Sequence, residues 1–134
     1  MTGTSTGGRT KAPSSRKAAI AAARAAADKQ ATDIVVLDVH EIIVITDFFV
    51  ICSAASDRQV KTVIDAVEGA LRGLGERPVR REGEPGAGWS LLDYIDVVVH
   101  VFGEEERAYY DLERLWKDAP RVAWEAGPRA ASSG

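Results

Sequence analysis

Hydrophobic residues enter this chain in two rhythms. From Ser14 to about Gln30 they are almost all alanine, with Ile20 the one larger side chain. Alanine is the best helix former, and Ser14 or Ser15 can cap the first turn, so a helix with a shallow, close-packing face is predicted. From Thr32 the apolar residues become β-branched and aromatic and gather in runs of strand length: Ile34–Leu37 between Asp33 and Asp38, then Phe48–Ser53 after Thr46-Asp47. Ser56-Asp57-Arg58-Gln59 has the form of a capping box, the Ser56 hydroxyl accepting from the Gln59 amide while the Gln59 side chain reaches back. Behind it Val60, Val63, Ile64, Val67, Leu71 and Leu74 make one face of an amphipathic helix, with Gly75 as its stop. Three further strands follow, at Arg77–Glu82, Trp89–Tyr94 and Asp96–Phe102, the first two separated by the Gly/Pro loop of residues 83–88. Glu104, Glu105 and Glu106 suit the positive end of a last helix, which carries Tyr109, Leu112, Leu115 and Trp116 and stops before Pro120. Residues 40–46, HEIIVIT, fit either a strand or an irregular crossover.

The order α-β-β-α-β-β-β-α predicts an α/β (α+β) fold, a mixed five-stranded sheet flanked by helices. Residues 1–13, rich in Gly, Ser and Thr, are expected to be a disordered basic tail, residues 14–120 the folded domain, and residues 121–134 a short C-terminal tail that frays, with Trp124 exposed. A chain of 134 residues, 46% apolar and 28% charged, suits one globular domain. No apolar run has the length of a membrane span, and no apolar segment follows the N-terminal basic residues as in a secretory signal. Cys52 is the only cysteine, so no internal disulfide forms, and a reducing cytoplasm is the expected compartment. Charge is uneven: residues 1–30 carry six basic and one acidic side chain, 6 − 1 = +5, and residues 31–134 carry 11 basic and 19 acidic, 11 − 19 = −8. An acidic body repels phosphate and attracts basic protein surfaces, although mild acidity also serves solubility alone.

The search for catalytic chemistry finds little. The turn after Phe48–Ser53 reads Ser53-Ala54-Ala55-Ser56-Asp57, with neither glycine nor a phosphate-binding lysine, and the Gly-rich loop precedes a strand rather than a helix. Cys52 in an apolar strand reads as an inert buried thiol. His40 reads as a surface turn residue and His100 as a core histidine satisfied by a neighbour, with Asp93 or Asp96 conceivable partners. Asp33 and Asp38 point to opposite strand faces and cannot share a metal, and Asp93 and Asp96, which flank a tight turn, have no third ligand. No metal or cofactor is expected. What remains is a surface: Trp89, Leu91 and Asp93 share one face of their strand, Ser90, Leu92 and Tyr94 the other, and Trp and Tyr are enriched among interface anchors. The alternative for Trp89 is that it caps a core under the final helix.

Thr46-Asp47-Phe48-Phe49-Val50-Ile51, Ser56-Asp57-Arg58-Gln59, Glu82-Gly83, Gly88-Trp89-Ser90-Leu91-Leu92-Asp93-Tyr94, Asp96-Val97-Val98-Val99-His100-Val101-Phe102 and Arg107-Ala108-Tyr109-Tyr110-Asp111-Leu112-Glu113-Arg114-Leu115-Trp116 fall in an order and spacing that resembles the ribosomal silencing factor, or Iojap-related, family across about residues 16–120. The resemblance implies a sheet with nucleotidyltransferase-like topology lacking the catalytic residues, and a non-enzymatic translation repressor. Such a repressor binds the large ribosomal subunit at its protein fourteen, blocks joining of the small subunit under nutrient limitation, and is a homodimer when free. The partner-binding residues expected here are Trp89, Leu91, Asp93 and Tyr94, with Glu82, Glu84 and Asp96 as an acidic rim. Family members often carry Gly where this chain has Ile95, so its tight turn holds a β-branched residue; Ala54-Ala55 and Ile43-Val44 also depart from the common pattern. Two other classes compete with this reading: a divergent nucleotidyltransferase using Asp93 and Asp96 with magnesium, and an RNA-binding module using the basic N-terminal helix.

Overall fold

A computed structural model describes residues 13–83, 88–105 and 117–125. The chain folds as α1 (Pro13–Asp28), β1 (Thr32–Asp38), β2 (Phe48–Ala54), α2 (Asp57–Arg72), β3 (Arg80–Glu82), β4 (Trp89–Asp93) and β5 (Val97–Gly103). Residues 1–12 of the predicted N-terminal tail, Glu84 and nearly all of the predicted last helix lie outside the described residues, and Pro13 is the first residue of α1. The five strands form one sheet in the order β1-β2-β5-β4-β3. Only β2 and β5 run parallel, Phe48 opposite Val97 through to Ala54 opposite Gly103. The other neighbours pair antiparallel.

Both helices lie on one face. The alanines of α1 explain how: Ala18, Ala19, Ala22, Ala23, Ala25 and Ala26 are buried, and side chains this small let the helix axis approach the sheet and α2 closely. Helix α2 supplies the bulk that α1 lacks, with Val60, Val63, Ile64, Val67 and Leu71 buried. These meet Phe48, Val50, Cys52, Leu92, Val97, Val99 and Val101 from the sheet in a single core. Cys52 is fully buried there, a small hydrophobe in this setting.

Helix α1 begins at Pro13, so Ser14 and Ser15 lie inside its first turn rather than capping it, while the ends of α2 follow the sequence with one adjustment. Ser56 Oγ accepts from the Gln59 amide at 3.1 Å, but the Gln59 side chain reaches past Ser56 and accepts from the Ala55 amide at 2.6 Å. Its NH2 then donates to the Lys29 and Gln30 carbonyls, 3.0 Å each, joining the start of α2 to the end of α1. Gly75, at φ +84°, closes α2 as predicted: its amide donates to the Arg72 carbonyl and the Glu76 amide to the Leu71 carbonyl, both at 2.9 Å.

Residues 40–46 form turns rather than a strand, which resolves that alternative. Residues 121–125, part of the segment expected to fray, are held in place. The Asp38 amide donates to the Pro120 carbonyl and the Val122 amide to the Val36 carbonyl, both at 2.8 Å, so this segment covers the outer edge of β1. Trp124 is partly buried against the core, its Nε1 donating to the Ile34 carbonyl at 3.2 Å, while Arg24 of α1 donates to the Trp124 and Glu125 carbonyls. Sequence pattern misses this because a single indole anchor has no periodicity.

Candidate functional site: the sheet face opposite α1 and α2

The face that neither helix covers is built by alternation. Residues opposite in register share a face, so Val35 and Leu37 of β1 align with Ile51 and Phe49 of β2, His100 and Phe102 of β5 follow, and Leu91 and Trp89 of β4 stand opposite those two. Val35, Leu37, Val39, Ile51, Phe102 and Ala119 form a second apolar cluster there, with Ile43, Phe49 and Trp89 packed partly against it. Trp89 is therefore both a partial core residue and a partly accessible aromatic. Gly83 fixes the approach of β3 to β4: a Cβ at this position would lie 2.1 Å from the Trp89 carbonyl oxygen.

Four of the predicted site residues come together. Trp89, Leu91 and Asp93 lie along one side of β4, and Glu82 stands opposite Leu91 on β3. Leu91 is nearly buried and Asp93 partly so. Arg80, absent from the predicted site, stands opposite Asp93 and binds both acids, Nη1 to Glu82 Oε2 at 2.9 Å and Nη2 to Asp93 Oδ2 at 3.3 Å. The signal for it was present: Arg80 and Glu82 are two apart in a strand and so share a face.

The structure places the other two described residues of the predicted set, Tyr94 and Asp96, on the helical side of the sheet. Tyr94 is 7% exposed and packs in the core beneath the helices, on the opposite side of the sheet from Trp89. Burial pushes its phenol up to about 12, with the Glu68 carboxylate adding to the shift. Its hydroxyl has no hydrogen-bond partner among the described residues. Asp96 lines a small cavity with Ser15, Ala18, Glu76, Tyr94 and Val97, also away from the Trp89 face, and its carbonyl accepts from the Asp47 and Phe48 amides at 2.9 and 3.0 Å. The strand alternation that separates Tyr94 from Trp89 is seen in the structure, and the turn keeps Asp96 on the Tyr94 side.

The turn between β4 and β5 is unusually tight. The Tyr94 amide donates to the Val97 carbonyl, and the Asp96 amide donates back to the Tyr94 carbonyl, closing a γ-type turn around Ile95 at φ +75°. Asp93 Oδ1 accepts from the Ile95 amide at 2.8 Å, so the carboxylate that faces outward also holds the turn.

Among the described residues no carboxylate satisfies His100. Its ring lies edge-on to Phe49 at 5.3 Å between centroids and stacks on Phe102 at 6.0 Å, and neither ring nitrogen has a partner among the described residues. Burial pushes its pKa down to about 4, so it is neutral near pH 7. His40 lies in a turn, as predicted, with Nδ1 2.6 Å from Asp38 Oδ1. An open groove of about 360 Å³ between α2 and the β3–β4 pair includes Lys61 and Arg81, but both are bound to carboxylates, Lys61 to Asp65 at 3.0 Å and Arg81 to Glu68 at 3.1 Å. Among the described residues no group of three or more His, Cys, Asp or Glu is placed to hold a metal ion. No helix among them is long and apolar enough to cross a membrane.

The family described as "Ribosomal silencing factor during starvation" matches residues 12–133. The chain belongs to the ribosomal silencing factor family. It is 44% identical over 104 residues to ribosomal silencing factor RsfS of Halalkalibacterium halodurans, covering 78% of this chain and 89% of that protein. It is also 44% identical over 99 residues to RsfS of Bacillus subtilis, covering 74% and 84%. The chloroplastic Iojap protein of Zea mays is 39% identical over 108 residues, spanning 78% of this chain and 45% of the maize protein. The fold agrees with two crystal structures: a Chromobacterium violaceum protein at TM-score 0.72 and 33% identity, covering 76% of this chain and 85% of that one, and a Bacillus halodurans protein at TM-score 0.69 and 39% identity, covering 81% and 98%. The family's role is regulatory, in line with translation repression, and the mixed sheet is the family's architecture.

Proposed function

We propose that this silencing-factor chain represses translation by binding the large ribosomal subunit at its protein fourteen, so that the small subunit cannot join. It acts in the cytoplasm without a cofactor, and is a homodimer when free. The observation that carries the reading is the placement of Trp89, Leu91 and Asp93, with Glu82, on a sheet face that neither helix covers, in a chain of this family. A partly buried indole on the same sheet face as two carboxylates suits a basic protein surface: the acidic body steers the encounter and the aromatic group is desolvated on contact. No step requires bond chemistry, because occupancy alone blocks the second subunit. The basic N-terminal segment contributes at most a secondary contact to RNA.

The test is a sucrose gradient in which purified chain is added to separated ribosomal subunits under conditions that favour joining. The expected result is co-sedimentation with the large subunit and fewer joined particles as the chain is added. Undiminished joining at saturating chain overturns the proposal. Thermal unfolding with ATP or CTP plus magnesium checks the enzymatic class, and an unchanged melting temperature is expected.

A further inference from the structure

The carboxylates of the proposed surface are already occupied. Arg80 lies on β3, a three-residue strand at one end of the sheet order, and its guanidinium spans Glu82 and Asp93. The Arg80 side chain is 58% exposed, Glu82 41% and Asp93 21%. One internal cation thus balances one of two negative charges at the place where a basic partner would arrive.

We infer that Arg80 is a built-in competitor, holding at Asp93 the position that an arginine or lysine of a docking partner takes. The inference rests on the reading of function given above and deepens it: Arg80 sets how strongly, and for which basic surfaces, the site binds. Three features favour exchange. The pair is solvent-exposed and made by a long side chain, and such pairs hold loosely. Asp93 is the least exposed of the three groups, and its other oxygen is fixed by the Ile95 amide, so Oδ2 is a stationary acceptor for an incoming cation. Once displaced, Arg80 keeps Glu82 as its partner at 2.9 Å, so docking strands no guanidinium. A partner presenting a planar arginine fork outcompetes one presenting lysine, because only the fork reproduces the geometry it replaces.

The test measures affinity of the full chain for purified large ribosomal subunits across a range of salt concentrations, with each variant's melting temperature checked. Arg80→Gln removes the competitor and is expected to tighten binding about two- to fivefold at low salt, the range an exposed ion pair supports. Arg80→Lys is expected to fall between Arg80→Gln and the native chain. Lys17→Gln, on the exposed side of α1, removes the same charge from the helical side and is expected to change affinity less. In an Asp93→Asn background, Arg80→Gln is expected to give no gain beyond the Lys17 control. Weaker or unchanged binding by Arg80→Gln, or a gain that persists without the Asp93 charge, overturns the inference while leaving the proposed function standing. Failure of the native chain to bind large subunits overturns both.

Discussion

Asp93 has two duties that substitution can separate. Its Oδ1 accepts from the Ile95 amide at 2.8 Å, and its Oδ2 meets Arg80 at 3.3 Å. The amide bond matters because Ile95 sits at φ +75°, where a β-branched side chain is strained, and nothing else in the turn accepts from that amide in the bonds described. A hydrogen bond from a backbone amide to a carboxylate at a partly exposed position contributes about 1.5 kcal/mol. The exposed Arg80 pair adds about 0.5 kcal/mol. Asp93→Ala removes both, a loss of about 2 kcal/mol, which for a chain of this size lowers the melting temperature by about 6–8 °C. Asp93→Asn keeps a carbonyl oxygen for the Ile95 amide and loses only the charge, so a fall of about 2 °C is expected. Ile95→Gly relieves the strained φ and is expected to raise stability by about 0.5–1 kcal/mol, and to offset part of the Asp93→Ala loss. Thermal unfolding by circular dichroism reads all three. Equal melting temperatures for Asp93→Ala and Asp93→Asn would refute the dual role, and a destabilised Ile95→Gly would refute the strain.

Trp89→Ala is expected to lower binding to large subunits at least tenfold, the scale of an interface anchor, while costing only about 1–2 kcal/mol of stability from its contacts with the second apolar cluster. Full binding by a folded Trp89→Ala chain would move the interface elsewhere. Gln59→Ala loses three hydrogen bonds, one from the Ala55 amide and two to the Lys29 and Gln30 carbonyls at the end of α1, and is expected to destabilise by about 1–2 kcal/mol. Gln59→Glu is also expected to destabilise, since a carboxylate would face two carbonyls, and a native melting temperature for it would refute that geometry. His100, held at about 4 against about 6.5 unfolded, binds its proton more readily in the unfolded chain, so its contribution is complete above about pH 6.5 and lost as the pH falls toward 4. Denaturant midpoints at pH 7 and pH 5 should therefore differ less for His100→Leu than for the native chain, and an equal difference would refute the assignment.

Much of this molecule follows from local pattern. The two helices, the five strands, the caps at Ser56 and Gly75 and the separation of Trp89 from Tyr94 are consequences of propensity, capping chemistry and period-2 alternation, all of which act between residues a few positions apart. The motifs from Thr46-Asp47 through the Trp89–Tyr94 segment to the Val97–Phe102 strand likewise point to the family without any coordinates. What local pattern could not supply is where separate elements meet. That Gln59 reaches Lys29 and Gln30, that Trp124 anchors residues past Pro120 against β1, and that Tyr94 and Asp96 lie on the helical side of the sheet all depend on contacts across the fold. Arg80 is the instructive case, because its spacing to Glu82 is local but its approach to Asp93 exists only through the β3–β4 register. Charge along the chain thus announces an acidic surface, and tertiary pairing decides how much of that charge a partner can reach.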